Sequence, residues 1–194
     1  MINDKLKANI KKVLPLVVDE WNTTKLPMFE KLIEKSFKEY FEGRQTQEKT
    51  KMIAPILDAI FERMVNDLDP TFVADEGKGH DYLHGDLPME CKITCSPSGK
   101  WTGNGYAKTP IHILMSFKLE DDGNITDMFC MFANLTDDIE SGWGKKTSLT
   151  ANFVSLRLLS EDIDNFDVVV GEVLTKNKLL KVVRDRSYNN KFFL

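Results

Sequence analysis

The sequence predicts a mixed α+β domain, helical through its first third and sheet-forming beyond it. Three observations carry this prediction. Up to about residue 70, apolar residues recur at intervals of three and four; after Pro70, short apolar runs separated by turn residues replace them. The composition, 42 % apolar and 29 % charged over 194 residues, is that of an ordinary globular chain. A chain of this length buries about 70 % of its unfolded surface in one domain, so it needs no metal or disulfide to fold. The reading is one domain over 1–194, with a helical part at about 1–70 and a sheet core at about 71–194. A central mixed β-sheet flanked by α-helices follows.

Taken in order, residues 4–20 set Leu6, Ile10, Val13, Leu14 and Val17 on one helical face, and Pro15 predicts a kink or a division. Residues 27–42 carry one stripe of Met28, Leu32, Ile33, Phe37, Tyr40 and Phe41, with Gly43 as the stop. Residues 46–68 open on Thr46 and Glu48 and continue through Ile53, Leu57, Ile60, Phe61, Met64 and Leu68. Pro55 predicts a kink there, or a helix that begins near residue 54. Strands are expected at Thr71–Asp75, His80–His84, Leu87–Cys95, Ile111–Leu119, Ile125–Leu135, Asp167–Thr175 and Lys178–Val183. Asp121-Asp122-Gly123-Asn124 is a hairpin turn signal, and Thr175-Lys176-Asn177 a second one. The segment Thr147–Leu159 fits both periods and stays open between helix and strand.

No stretch approaches the roughly 18 uninterrupted apolar residues of a membrane span. Met1–Lys12 has lysines but no apolar core of the kind a secretory signal needs. Cys91, Cys95 and Cys130 are an odd set without framework spacing, which points to a reducing, cytoplasmic setting. The net charge of −4 argues at first against nucleic acid, but the charge is segregated. Residues 96–118 carry +3 with no acid, residues 119–140 carry −7 with no base, and residues 176–194 carry +5. That distribution permits a basic face on an acidic protein.

The chemistry concentrates in Asp81-Tyr82-Leu83-His84-Gly85-Asp86-Leu87-Pro88-Met89-Glu90-Cys91-Lys92. Glu90 and Lys92 are two apart on an expected strand and so project from one face, while Met89, Cys91 and Ile93 point to the other. A turn at His84-Gly85-Asp86 folds the chain back and sets Asp81 beside Glu90. Two carboxylates and an amine converge. Paired carboxylates are ligands for hard cations such as Mg²⁺, which fills its other positions with waters or phosphate oxygens. An amine alongside can orient or deprotonate a water and stabilise charge on a phosphate. This suits metal-assisted hydrolysis of a phosphodiester.

An Asp at a strand end, a hairpin turn and Glu-X-Lys on the next strand resemble the signature of the PD-(D/E)XK nucleases, the superfamily of most type II restriction endonucleases. The match covers Asp81, the turn at Gly85 and Glu90-Cys91-Lys92, with His80 where the signature has Pro. The resemblance implies a restriction-endonuclease-like, α/β/α-like fold. It implies Mg²⁺ held by Asp81, Glu90 and the backbone carbonyl of Cys91, with Lys92 acting on the attacking water. It further implies double-stranded DNA cut at a short specific sequence to leave a 5′-phosphate, and a homodimer on a palindromic site. Asp86 rivals Asp81 as the first carboxylate but lies inside the expected turn, and Glu62 or Glu76 could add a further acid.

The loop Ser96–Lys108 leaves the motif strand without an acid and mixes Gly, Ser, Thr and Asn with Lys100, Trp101, Asn104, Tyr106 and Lys108. Those five are the candidate DNA contacts, to phosphates and base edges. No cysteine–histidine set has zinc spacing, and no serine or cysteine sits in a nucleophile context. Two alternatives remain open: a structure-specific or repair nuclease of the same superfamily, and a non-catalytic interaction protein whose hairpin resembles the motif by chance.

Overall fold

A computed structural model describes residues 3–75, 80–95, 102–104, 111–134, 153–155 and 166–170. Every described helix precedes Asp69 and every described strand follows it. Helix α1 (Asp4–Glu20) is capped by Asn3, whose side chain accepts from the Leu6 N–H at 2.8 Å. It runs through Pro15 without division. Leu6, Ile10, Val13, Leu14 and Val17 are fully buried, and this packing outweighs the one backbone hydrogen bond the proline removes.

A π-helical turn at Trp21–Lys25 then widens the spiral. It brings the Trp21 indole N–H to the Gly123 carbonyl at 2.9 Å and pairs the Asn22 amide with both the N–H and the carbonyl of Ile125. The expected single helix over 27–42 is instead two helices, α2 (Leu26–Ile33) and α3 (Phe37–Tyr40). Glu34 adopts a left-handed conformation (φ 53°), and Ser36 and Glu39 form a reciprocal capping box that starts α3 afresh. The fold-back clusters Phe29, Phe37, Tyr40 and Phe41 with ring centroids 4.6–6.3 Å apart. It leaves Met28 and Leu32 exposed, so the apparent single stripe was two short faces. Helix α4 (Thr46–Leu68) is continuous through Pro55.

The strands are β1 (Phe72–Ala74), β2 (Tyr82–His84), β3 (Leu87–Thr94), β4 (Thr102–Asn104), β5 (Ile111–Leu119), β6 (Ile125–Asn134), β7 (Phe153–Ser155) and β8 (Phe166–Val170). Six of them form one mixed sheet in the order β1-β2-β3-β5-β6-β8, antiparallel throughout except for the parallel pair β3–β5. Strands β4 and β7 pair separately, which resolves the ambiguous segment at 153–155 as strand. The expected strand Lys178–Val183 and the turn at 175–177 lie outside the described residues. The class is the mixed α+β one the periodicities predict.

Helices α1 and α4 pack together and cover one face of the sheet. That face supplies Phe72, Tyr82, Met89, Cys91, Ile113, Met115, Phe117, Cys130 and Phe132 to the core. By strand alternation the other face carries Glu90, Lys92 and His112. The three cysteines are buried free thiols. No helix among the described residues is long and apolar enough to cross a membrane.

Candidate functional site

The β2–β3 hairpin positions the site. Its two-residue turn is Gly85-Asp86, with Gly85 at φ 60°, the sign that a tight hairpin demands at its first position. The register Tyr82↔Met89, Leu83↔Pro88 and His84↔Leu87 brings Asp81, just ahead of β2, alongside Glu90 and Cys91. Asp86 is exposed in the turn, four residues or about 13 Å of strand from Glu90, and takes no part in this end of the hairpin. That settles the choice of neighbouring carboxylate in favour of Asp81.

Three side chains meet. The Lys92 ammonium donates to Asp81 Oδ2 at 3.0 Å and to Glu90 Oε2 at 2.6 Å. Asp81 Oδ2 also accepts the backbone N–H of Cys91 at 2.7 Å, so the carboxylate is tied to the strand that carries the other two groups. Burial by itself would lower the pKa of Lys92, but the charges of Asp81 and Glu90 overcome it and hold the pKa above its ordinary value. Lys92 is therefore a fixed cation at neutral pH. In this arrangement it can orient a water or neutralise a developing phosphate charge, and it is not poised to take a proton.

The charge balance of the cluster is incomplete. Two carboxylates face one ammonium, and Glu90, only 7 % exposed, has its Oε1 buried without a hydrogen-bond partner. A buried carboxylate oxygen left unpaired is costly unless a cation or donor satisfies it. Among the described residues no three Asp, Glu, His or Cys side chains are grouped to hold a metal. A cation here would draw on Asp81, Glu90 and the Cys91 carbonyl, with waters or phosphate oxygens completing its shell. That oxygen-rich, partly open donor set fits Mg²⁺.

The helix side of the sheet contributes a residue the sequence did not single out. Asp58, on α4, accepts a short hydrogen bond from the Tyr82 hydroxyl and lies close to the Cys91 thiol. Burial, reinforced by the nearby Asp81 charge, raises its pKa above the ordinary carboxylate value. Burial also pushes up the Tyr82 hydroxyl and the Cys91 thiol, so both stay protonated. Glu62, one helical turn further along α4, is close enough to Tyr82 to add to that effect and is only partly buried. Asp75 borders the hairpin, donating its N–H to the Asp81 carbonyl at 3.2 Å, and is buried with Oδ2 unpartnered. The signal that could have found Asp58 was a lone acid on the apolar side of a helix, between Leu57 and Ile60.

Of the candidate DNA contacts, Lys100, Trp101, Tyr106 and Lys108 lie outside the described residues, as does Glu76. Asn104 places its backbone at the end of β4, opposite Phe153. Compared with known proteins, the chain matches no family model and no curated protein. The site's own geometry is what remains to argue from.

Proposed function

We propose that this protein is a Mg²⁺-dependent endonuclease of the PD-(D/E)XK kind that cuts double-stranded DNA at a short specific sequence. One observation carries the reading: Asp81 and Glu90, from adjacent strands, share a single ammonium while a buried Glu90 oxygen goes unpaired. The site has the ligands and the missing charge of a hard-cation position. When bound, Mg²⁺ would supply Lewis-acid stabilisation of phosphate charge and make water more acidic. Asp81, Glu90 and the Cys91 carbonyl would hold it. Lys92, kept cationic by its neighbours, would donate to the attacking water or to a phosphate oxygen as negative charge builds there. The basic, acid-free run 96–118 supports DNA as the polyanion, and an isologous homodimer is the assembly that suits a palindromic site.

The test is incubation of the purified protein with unmethylated phage DNA and millimolar Mg²⁺, beside a Glu90→Ala protein and an EDTA control. Discrete fragments absent from both controls are expected. Nicks or smears lost in the controls would replace sequence-specific cutting by a structure-specific nuclease. No cleavage of duplex, single-stranded or branched DNA would end the catalytic reading and leave the interaction protein.

A further inference from the structure

We propose that Asp58 is a positioning residue of this site, anchoring from the helix side of the sheet the start of β2, next to Asp81. The inference rests on reading the cluster as a divalent-cation site. Its geometry is on the opposite face from the ligands. Tyr82, whose hydroxyl donates to Asp58, directly follows Asp81, and Cys91, close to the same carboxylate, sits between Glu90 and Lys92. Because side chains alternate along a strand, fixing Tyr82 on one face fixes the backbone from which Asp81 projects on the other.

The clamp falls where the β2–β3 ladder gives out. Paired residues run from His84↔Leu87 to Tyr82↔Met89 and stop there. Beyond the ladder, the Asp81 N–H bond to the Met89 carbonyl (3.1 Å) and the Asp81 carboxylate, on the Cys91 N–H and the Lys92 ammonium, hold the strands together. A cation bound at Asp81 would compete for that carboxylate. The position of Asp81 would then depend on the Tyr82–Asp58 hydrogen bond. A half-buried carboxyl is a costlier way to join a helix to a sheet than apolar groups of the same shape, which desolvate no acid. Its place directly beneath the motif gives it a role that apolar packing does not supply.

The full-length protein tests this with three variants: Asp58→Leu, which removes the acceptor; Tyr82→Phe, which removes the donor with little change of shape; and Asp58→Asn, which keeps an acceptor for the Tyr82 hydroxyl. Mn²⁺ binding by electron paramagnetic resonance gives a readout independent of cleavage. Asp58→Leu and Tyr82→Phe are expected to weaken Mn²⁺ by about 10- to 100-fold, the usual effect of losing a group that orients a ligand. Their cleavage should lose kcat at an unchanged KM for DNA, and Asp58→Asn should recover most of the Mn²⁺ affinity. If Asp58→Leu does not fold, Tyr82→Phe, which loses one oxygen, decides alone. Wild-type Mn²⁺ affinity in Tyr82→Phe and in folded Asp58→Leu overturns the inference, as does an Asp58→Asn protein no better than Asp58→Leu. A wild-type protein that binds Mn²⁺ but cuts no DNA overturns the nuclease reading, and the Mn²⁺ series still decides the role of Asp58. One that binds no Mn²⁺ overturns both.

Discussion

Lys92 is held by opposing effects whose balance can be shifted one at a time. Burial disfavours its charge and the two carboxylates favour it, and the carboxylates prevail. Replacing it by methionine keeps the aliphatic stem but leaves Asp81 and Glu90 facing each other without a counter-charge. Lys92→Met should lower stability by roughly 2–3 kcal/mol in EDTA, somewhat less than for a fully buried pair because the site is partly open. Divalent cation should then stabilise Lys92→Met more than wild type, because in the variant it no longer competes with an ammonium for the same oxygens. Thermal melts of both proteins with and without Mg²⁺ decide this, and an equal or smaller Mg²⁺ shift in Lys92→Met would remove the carboxylate pair as the binding site. In wild type, Mg²⁺ at ten times its Kd should add about 1.4 kcal/mol, lost in Asp81→Asn and Glu90→Gln.

Two glycines with the same sign of φ separate the cost of conformation from the cost of space. Gly85 (φ 60°) turns the motif hairpin and has open room around an added Cβ, whereas Gly123 (φ 91°) would drive one to 2.5 Å from the Phe37 ring and 2.8 Å from Leu26. Gly85→Ala should cost about 1 kcal/mol and Gly123→Ala roughly 2–4 kcal/mol, since the second adds overpacking to backbone strain. Denaturant melts that rank them otherwise would mean the β5–β6 turn can retreat from α2 and α3. At the end of α4, Asp69 ties the helix to the hairpin through the Thr71 hydroxyl (2.6 Å), His84 and Lys5. The Thr71 hydrogen bond, with help from His84 and Lys5 against burial, brings its pKa down to about 2. A depressed carboxylate stabilises the fold above its unfolded pKa near 4 and stops doing so as pH falls through about 2. Asp69→Asn should therefore melt below wild type at pH 7, and the gap should close between pH 4 and pH 2. A gap of constant size across that range would mean the carboxylate charge contributes nothing.

Across the whole molecule, what could be read from the chain was what local rules determine. The Glu-X-Lys spacing and the Gly85 turn fixed Asp81, Glu90 and Lys92 as neighbours, because strand alternation and hairpin register act over a dozen residues. The division of 27–42 was hidden because the apolar spacing of Met28 through Phe41 continues across a break set by Ser36 and Glu39. Asp58 carried only a weak local signal, an acid on an apolar helix face, because the partner that gives it meaning lies on another element, 24 residues away at Tyr82. Charge is the remaining whole-chain property, and it constrains the proposed DNA partner. A protein of net charge −4 can bind a polyanion only where bases outnumber acids, and 96–118 and 176–194 are such stretches. Affinity for a DNA duplex, measured in EDTA to prevent cleavage, should fall with salt along a log–log slope of about −0.9 for each phosphate neutralised. Lys100→Ala combined with Lys108→Ala should make that slope shallower by about 2 if both lysines touch phosphates. A weaker affinity with an unchanged slope would give them a structural role only, and a wild-type slope near zero would exclude a phosphate-tracking face altogether. With seven acids and no base in 119–140, any DNA path must avoid that run, and Lys118, paired with Glu120 at 2.8 Å, is already neutralised by it, which leaves Lys100 and Lys108 as the bases of 96–118 whose loss the slope should register.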